Sequence, residues 1–335
     1  MKRVWVVLLL IFIIAIIIFS VNFFNLKQNE KILVQNKTAK IVFTTDKTYQ
    51  DYLKVTIKSA IENKNADSIY DISILSVDLS TEEMQYFKNM SAKNVVISTI
   101  PLEVSSLKVG NFPIANKRVS RADLFKFFMP EIFEDCDRIL YIDSDTLILG
   151  DLLDLYNTNM HGKCLGAVIK YVPKYSWIKI IPRIWYVKSV KYDYNCGVML
   201  MDLKQMRKYH ITEKLIKAKN TDNNRILMTQ DAFNTVIPAK KSYHLSPVYN
   251  FITRWRDMDF KSKCFKTIYA PYLDDVNSMA ELQKQAIIVH YAGIAKPWNT
   301  KGVRFETQWW KYAKMINPNW EVKPELVVPN DSILF

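Results

Sequence analysis

Arg138-Ile139-Leu140-Tyr141-Ile142-Asp143-Ser144-Asp145 decides how this chain is read. An apolar run breaks into two aspartates one residue apart. A run of this length ahead of a turn reads as a buried strand. In extended backbone, residues i and i+2 point the same way. Asp143 and Asp145 therefore direct both carboxylates past the strand end. Two ionised carboxylates held together repel, and a divalent cation relieves the conflict, because hard oxygen ligands suit Mg2+ or Mn2+. The stretch predicts a metal site at a strand end, of the type that holds phosphate. The plain alternative is a polar loop after a strand, and the rest of the chain decides between the two.

Working outward, Lys40-Ile41-Val42-Phe43-Thr44-Thr45 reads as a first strand. Leu53, Ile57, Ala60 and Ile61 follow at helical spacing. Residues 69–77 and 94–99 read as second and third strands, and Ser80-Thr81-Glu82-Glu83 between them is a capping box opening a helix. Leu124, Phe125, Phe128 and Met129 fall on one helical face, with Pro130 expected to end that helix. Strands alternating with helices predict an α/β fold with a parallel, helix-covered sheet. Ligands of such sheets sit outside the carboxyl ends of the strands, where Asp143 and Asp145 lie.

Composition narrows the function. A chain of 335 residues has room for one large catalytic domain or two small ones, and 49% hydrophobic residues mark it as folded. Only seven glycines are present, with no GxGxxG or Walker pattern. The net charge of +13 comes from lysines spread along the chain, so no nucleic-acid partner is expected. Cys136, Cys164, Cys196 and Cys264 stand isolated and fix neither disulfides nor compartment.

Residues 4–24 are almost wholly apolar, follow Lys2 and Arg3, and lack a small-x-small exit. They are expected to form an uncleaved transmembrane signal anchor. The short basic tail favours a lumenal catalytic domain, facing the Golgi lumen in a eukaryote. Lys27, Lys31, Lys37 and Lys40 weaken that count, and the cytoplasmic face of a bacterial inner membrane is the alternative. Sequons at Asn36, Asn89 and Asn330 are compatible with a lumenal domain. The expected organisation is a tail (1–3), an anchor (4–24), a stem (25–38), a catalytic domain (39–320) and a C-terminal tail (321–335).

Further clusters follow the aspartates: Asn195-Cys196-Gly197-Val198-Met199-Leu200-Met201-Asp202, Gln230-Asp231-Ala232-Phe233-Asn234, and His290-Tyr291-Ala292-Gly293-Ile294-Ala295-Lys296-Pro297-Trp298. In this order, from about Lys40 to about Trp310, the chain resembles glycosyltransferase family 8. The resemblance implies a GT-A, Rossmann-like fold with a mixed, mainly parallel sheet. It also implies retaining transfer of a hexose, glucose or galactose first, from a UDP-sugar to a glycan or glycolipid acceptor. By resemblance Asp143, Asp145 and His290 are the metal ligands, and the nitrogen ligand favours Mn2+, with Mg2+ possible. Lys296 and Arg121 match diphosphate contacts, and Gly293 lets backbone approach the phosphates. The resemblance also implies that Thr44, Asp46 and Tyr49 lie in a turn that holds the nucleoside, with Asp46 expected to accept from the base and Tyr49 to stack on it.

Asn195, Gln230 and Asp231 are placed near the transferred sugar. Relatives often read Asp-Gln-Asp where this chain has Thr229-Gln230-Asp231. An amide is a poor nucleophile, so a front-face displacement is expected in place of a covalent intermediate on Gln230. Residues 170–191 carry six basic residues and no acid among Tyr171, Trp177, Trp185 and Tyr186, a composition suited to a membrane interface or to an acceptor lid. Trp309, Trp310 and Trp320 read as core anchors in preference to sugar platforms. Two rivals are a haloacid-dehalogenase-type phosphatase, disfavoured by Leu147 and by the strands ahead of the motif, and a membrane-anchored sugar-binding pseudoenzyme.

Overall fold

β1 (Thr38–Thr45), β2 (Ile69–Ser76) and β3 (Val95–Pro101) run parallel in sequence order, and β4 (Arg138–Ile142) runs parallel to β1 on its other side. They belong to a computed structural model that describes residues 37–103, 121–170, 193–221, 228–255, 278–321 and 326–327. Every described residue belongs to one compact unit, Lys37–Phe335. The expected anchor (4–24), most of the stem and the basic segment after Lys170 lie outside the described residues. Among the described residues no helix is long and apolar enough to cross a membrane.

Ile41, Val42 and Phe43 of β1 and Ile139, Leu140, Tyr141 and Ile142 of β4 are fully buried. Strands covered on both faces are expected as unbroken apolar runs, which is why these two were readable. Burying one such side chain contributes about 1.5–3 kcal/mol. The seven-stranded sheet is completed by β6 (Leu165–Lys170), β7 (Asp193–Asp202) and β8 (Tyr243–His244) in the order β3-β2-β1-β4-β7-β6-β8. β7 is antiparallel to β4 and β6, so the sheet is mixed although mainly parallel. From β1 the chain turns first towards β2 and later towards β4. The crevice at their carboxyl ends is thus a topological switch point, and Asp143 is the first residue beyond β4.

The helix Gln50–Asn63 packs behind this crevice and buries Leu53, Ile57 and Ala60 as its spacing predicts. It also buries Thr56 and Ser59, because their hydroxyls hold the loop after β4. Thr56 Oγ1 lies 3.0 Å from Ser144 O and 2.7 Å from Thr146 O, and Ser59 Oγ accepts from Ile148 N at 3.0 Å. The capping box is formed: Ser80 Oγ accepts from Glu83 N, and Glu83 Oε2 accepts from Ser80 N.

One expectation is corrected. Pro130 does not end the helix before it. A 3-10 helix, Arg121–Phe128, leads into a short α-helix, Met129–Ile132, with Pro130 in its first turn. A proline there gives up an N–H that has no partner within the helix, and its fixed φ suits the turn.

A second sheet explains how His290 reaches the aspartates. β10 (Ile288–His290) lies between β5 (Thr146–Ile148) and β9 (Phe251–Ile252), antiparallel to β5 and parallel to β9. Its register sets His290 opposite Thr146. The tryptophans of the C-terminal segment meet edge to face, Trp320 stacks on Tyr52, and Trp309, fully buried, lies tilted against Trp298, so they build core.

Candidate active site

Asp143, Asp145 and His290 converge beyond the end of β4. Each offers one ligand atom, and these atoms lie within 4.8 Å of one another. His290 Nε2 stands 3.2 Å from Asp145 Oδ1 and 3.7 Å from Asp143 Oδ2. The backbone fixes the approach: Tyr291 N donates to Asp145 O at 3.0 Å, and Asp143 N donates to Gly197 O at 2.7 Å. Gly197 is there because nothing larger fits. A Cβ on it would stand 2.1 Å from His290 Cε1 and 2.8 Å from Asp143 Oδ2. Two carboxylates and one imidazole nitrogen, packed this closely, fit a divalent ion with positions left for outside oxygens.

Two buried lysines flank the trio. Lys296 Nζ pairs with Asp145 Oδ2 and donates to Tyr291 O. Burial pushes the Asp145 carboxyl up, but the Lys296 ammonium and His290 outweigh it and hold that group well below the usual carboxylate range. Lys126 Nζ sits 2.8 Å from Asp143 Oδ1, pairs also with Asp123 Oδ1, and lies 4.8 Å from the centre of the Tyr141 ring. Burial alone would push the Lys126 ammonium down. The Asp123 and Asp143 carboxylates reverse this and hold it well above the ordinary lysine value.

Lys126 was not singled out from sequence. Its signal is a lysine set among Phe125, Phe127 and Phe128, since a lysine inside an apolar run is buried only when paired. Arg121, the expected basic residue of this segment, opens the 3-10 helix, and its side chain lies outside the described residues.

Asn195 and Gln230, expected near the sugar, are brought together: Asn195 Nδ2 donates to Gln230 Oε1 at 3.3 Å, and Gln230 Nε2 donates to Asp193 Oδ2 at 3.2 Å. Asp231 follows in the same first turn of the helix Met228–Val236, where an acid suits the helix dipole. Thr229 Oγ1 donates to Asp123 Oδ2. The position that lacks an acid in this chain is therefore bonded to one supplied from 106 residues earlier.

At the end of β1, among the residues expected to hold a nucleoside, Thr44 Oγ1 lies 2.9 Å from Tyr141 OH, which donates to Asp143 Oδ1 at 2.7 Å. Asp46 Oδ1 accepts from the backbone N–H groups of Thr48 and Tyr49 at 2.9 and 3.0 Å, shaping the turn into the helix. Any contact of Asp46 with a base therefore falls to its other oxygen. Burial, then Asp145 and Asp46, push the Tyr49 hydroxyl above its ordinary value and keep it neutral. Gly293 has φ +113°, a conformation side chains rarely adopt, and Arg254 covers it with its Cδ 3.0 Å from where a Cβ would be.

Solved structures share this mixed, mainly parallel fold. The galactosyltransferase LgtC, in complex with donor and acceptor sugar analogs, matches 82% of this chain and 95% of its own with a TM-score of 0.67 and 21% identity. Residues 40–302 match the family described as Glycosyl transferase family 8, and the chain belongs to that family. Glycosyltransferase GlyF of Streptococcus pneumoniae serotype 4 is similar at 27% identity over 81% of this chain, which spans 60% of GlyF's length. The lipopolysaccharide 1,2-glucosyltransferase of Escherichia coli K12 is 23% identical over 84% of this chain and 78% of its own.

Proposed function

We propose that the protein is a retaining, Mn2+-dependent hexosyltransferase that moves glucose or galactose from a UDP-sugar to a glycan or glycolipid acceptor. The observation that carries this reading is the convergence of Asp143, Asp145 and His290 with Lys296 paired to Asp145. Asp143, Asp145 and His290 would hold the metal. When bound, it supplies Lewis-acid neutralisation of charge on the departing diphosphate. Lys296 adds a fixed ammonium on the same side, preorganised by its bonds to Asp145 and Tyr291.

The amides of Asn195 and Gln230 give the transferred sugar donors and acceptors but no strong nucleophile. The acceptor hydroxyl then enters from the face that UDP leaves. The bond from C1 to the diphosphate oxygen breaks, the bond from C1 to the acceptor oxygen forms, and the hydroxyl proton passes to the departing diphosphate.

The apolar run 4–24 and the basic, aromatic residues 170–191 support a membrane-held enzyme. A glycolipid acceptor agrees with the lipopolysaccharide 1,2-glucosyltransferase of Escherichia coli and the lipopolysaccharide 1,3-galactosyltransferase of Salmonella typhimurium among the relatives. The test is UDP release by the purified chain from UDP-glucose, UDP-galactose and UDP-xylose, with Mn2+ and then with EDTA. Release from a UDP-hexose that EDTA abolishes is expected. Sugar binding without release, unaffected by EDTA, would leave a lectin in its place.

A further inference from the structure

A fully buried asparagine, Asn250, lies directly behind His290, one residue before β9, the strand that pairs with β10. Its Oδ1 is 3.0 Å from His290 Nδ1, and its Nδ2 donates to Asn195 Oδ1 at 2.9 Å. Asn195 Oδ1 also receives the backbone N–H of Gly197 at 2.8 Å.

That last bond sets the polarity of the whole row. A backbone N–H can only donate, so the Asn195 atom facing it is the oxygen. The Asn250 atom facing the same oxygen must then be its NH2, which turns the Asn250 oxygen towards His290. An amide oxygen can only accept, so His290 Nδ1 carries a hydrogen, and Nε2 is the nitrogen whose lone pair a cation beside Asp143 and Asp145 would take. The row runs the other way as well. Asn195 Nδ2 donates to Gln230 Oε1, and Gln230 Nε2 donates to the Asp193 carboxylate, which accepts. Both ends agree on one direction.

We infer that Asn250 is a positioning residue: it fixes the ring orientation and tautomer in which His290 offers Nε2 to a divalent cation, and it ties that nitrogen to the sugar-facing amides Asn195 and Gln230. The inference rests on the proposed function in one respect, that the trio takes a divalent ion. The row gives a physical route by which a change at Gln230 reaches the metal nitrogen without touching it. Outer partners of ligating histidines act in this manner, and their loss usually weakens metal binding about 10–100-fold.

The test is Mn2+ titration of the full chain, with free Mn2+ read by electron paramagnetic resonance, for wild type, Asn250→Leu and Asn250→Asp. Asn250→Leu removes the acceptor, and its Mn2+ affinity is expected to fall about 10–100-fold. Asn250→Asp keeps an acceptor for Nδ1–H and is expected to stay within about threefold of wild type by the same criterion, while its lost donor to Asn195 raises the KM for the UDP-sugar. A merely structural role would weaken both variants alike. Leucine and aspartate variants with equal affinity, or a leucine variant that binds Mn2+ as wild type does, would overturn the inference and leave the enzyme reading standing. A wild-type chain that takes up no Mn2+ would instead overturn the Mn2+-dependent reading of the trio. Should Asn250→Leu fail to fold in a thermal melt without metal, Asn250→Ser, whose side chain reaches neither neighbour, replaces it with the same expected loss.

Discussion

His290 Nε2 stands 3.2 Å from Asp145 Oδ1, while the other oxygen of Asp145 is bonded to Lys296. One half-buried carboxylate therefore serves a candidate ligand set and an ion pair at once. Asp145→Asn is expected to abolish Mn2+-dependent UDP release and to lower stability by about 3–5 kcal/mol, because it strands the Lys296 ammonium. Adding Lys296→Met to Asp145→Asn is expected to recover most of that stability and none of the activity. Urea unfolding beside the UDP assay separates the two roles. A single variant as stable as wild type would show that the pair is not structural.

Alkaline pH is expected to destabilise the fold. Burial pushes the hydroxyls of Tyr70, Tyr141 and Tyr291 above their ordinary value. Unfolded tyrosines lose their protons near pH 10, so above that the unfolded chain binds fewer protons than the folded one, and stability falls as pH rises. The raised Lys126 acts in the same direction, since its favourable charge is complete below the unfolded lysine value and is lost as pH climbs through the folded one. Each proton so linked contributes a slope of about 1.4 kcal/mol per pH unit. Denaturant midpoints measured from about pH 9 to about pH 11, the range in which unfolded tyrosine and lysine titrate, check this. A flat profile would contradict it.

Gly197→Ala introduces a methyl 2.1 Å from His290 Cε1, so the ring must move. Overpacking of this kind costs about 1–3 kcal/mol, which a chain of this size tolerates. A displacement of about 1 Å in a catalytic group costs on the order of 100-fold in rate. A folded chain with that loss in turnover and weakened Mn2+ binding is expected. Gly150→Ala, whose Cβ would meet only Ile287 at 3.4 Å, is the control and is expected to keep its activity. Circular dichroism and the UDP assay decide.

The parts legible in the sequence are those where local pattern and burial agree. β1 and β4 are covered on both faces, so each appears as an unbroken apolar run, and the aspartates mark where β4 leaves the core. His290 was readable only from its place among the motifs, since a three-residue strand between two others has no periodicity of its own. Asn250 carried no signal, because its meaning lies in partners 55 and 40 positions away. Pro130 misled because a proline that starts one short helix looks, in one dimension, like a proline that ends another. Antiparallel β7 was not foreseen as a neighbour of β4, since an apolar strand reads alike in either direction.

Lys126 gives a prediction with two opposite signs. Its ammonium touches Asp143 Oδ1, an oxygen of one of the proposed metal ligands, and Asp123 on the other side. A fixed positive charge there repels a divalent ion held by Asp143 and Asp145, yet it also stabilises negative charge built up on a leaving diphosphate. Lys126→Met keeps an apolar stem beside the Tyr141 ring and removes the charge. Mn2+ affinity is therefore expected to rise while turnover falls by about 100-fold or more, the loss typical of removing one preorganised electrostatic contact. Lys126→Arg keeps the charge but forces a larger head into a site only 3% exposed, so partial activity with reduced stability is expected. Mn2+ titration and kcat measured on the same preparations separate the two effects. If affinity and turnover fell together in Lys126→Met, the lysine would be holding the ligands in place and contributing no charge to the reaction.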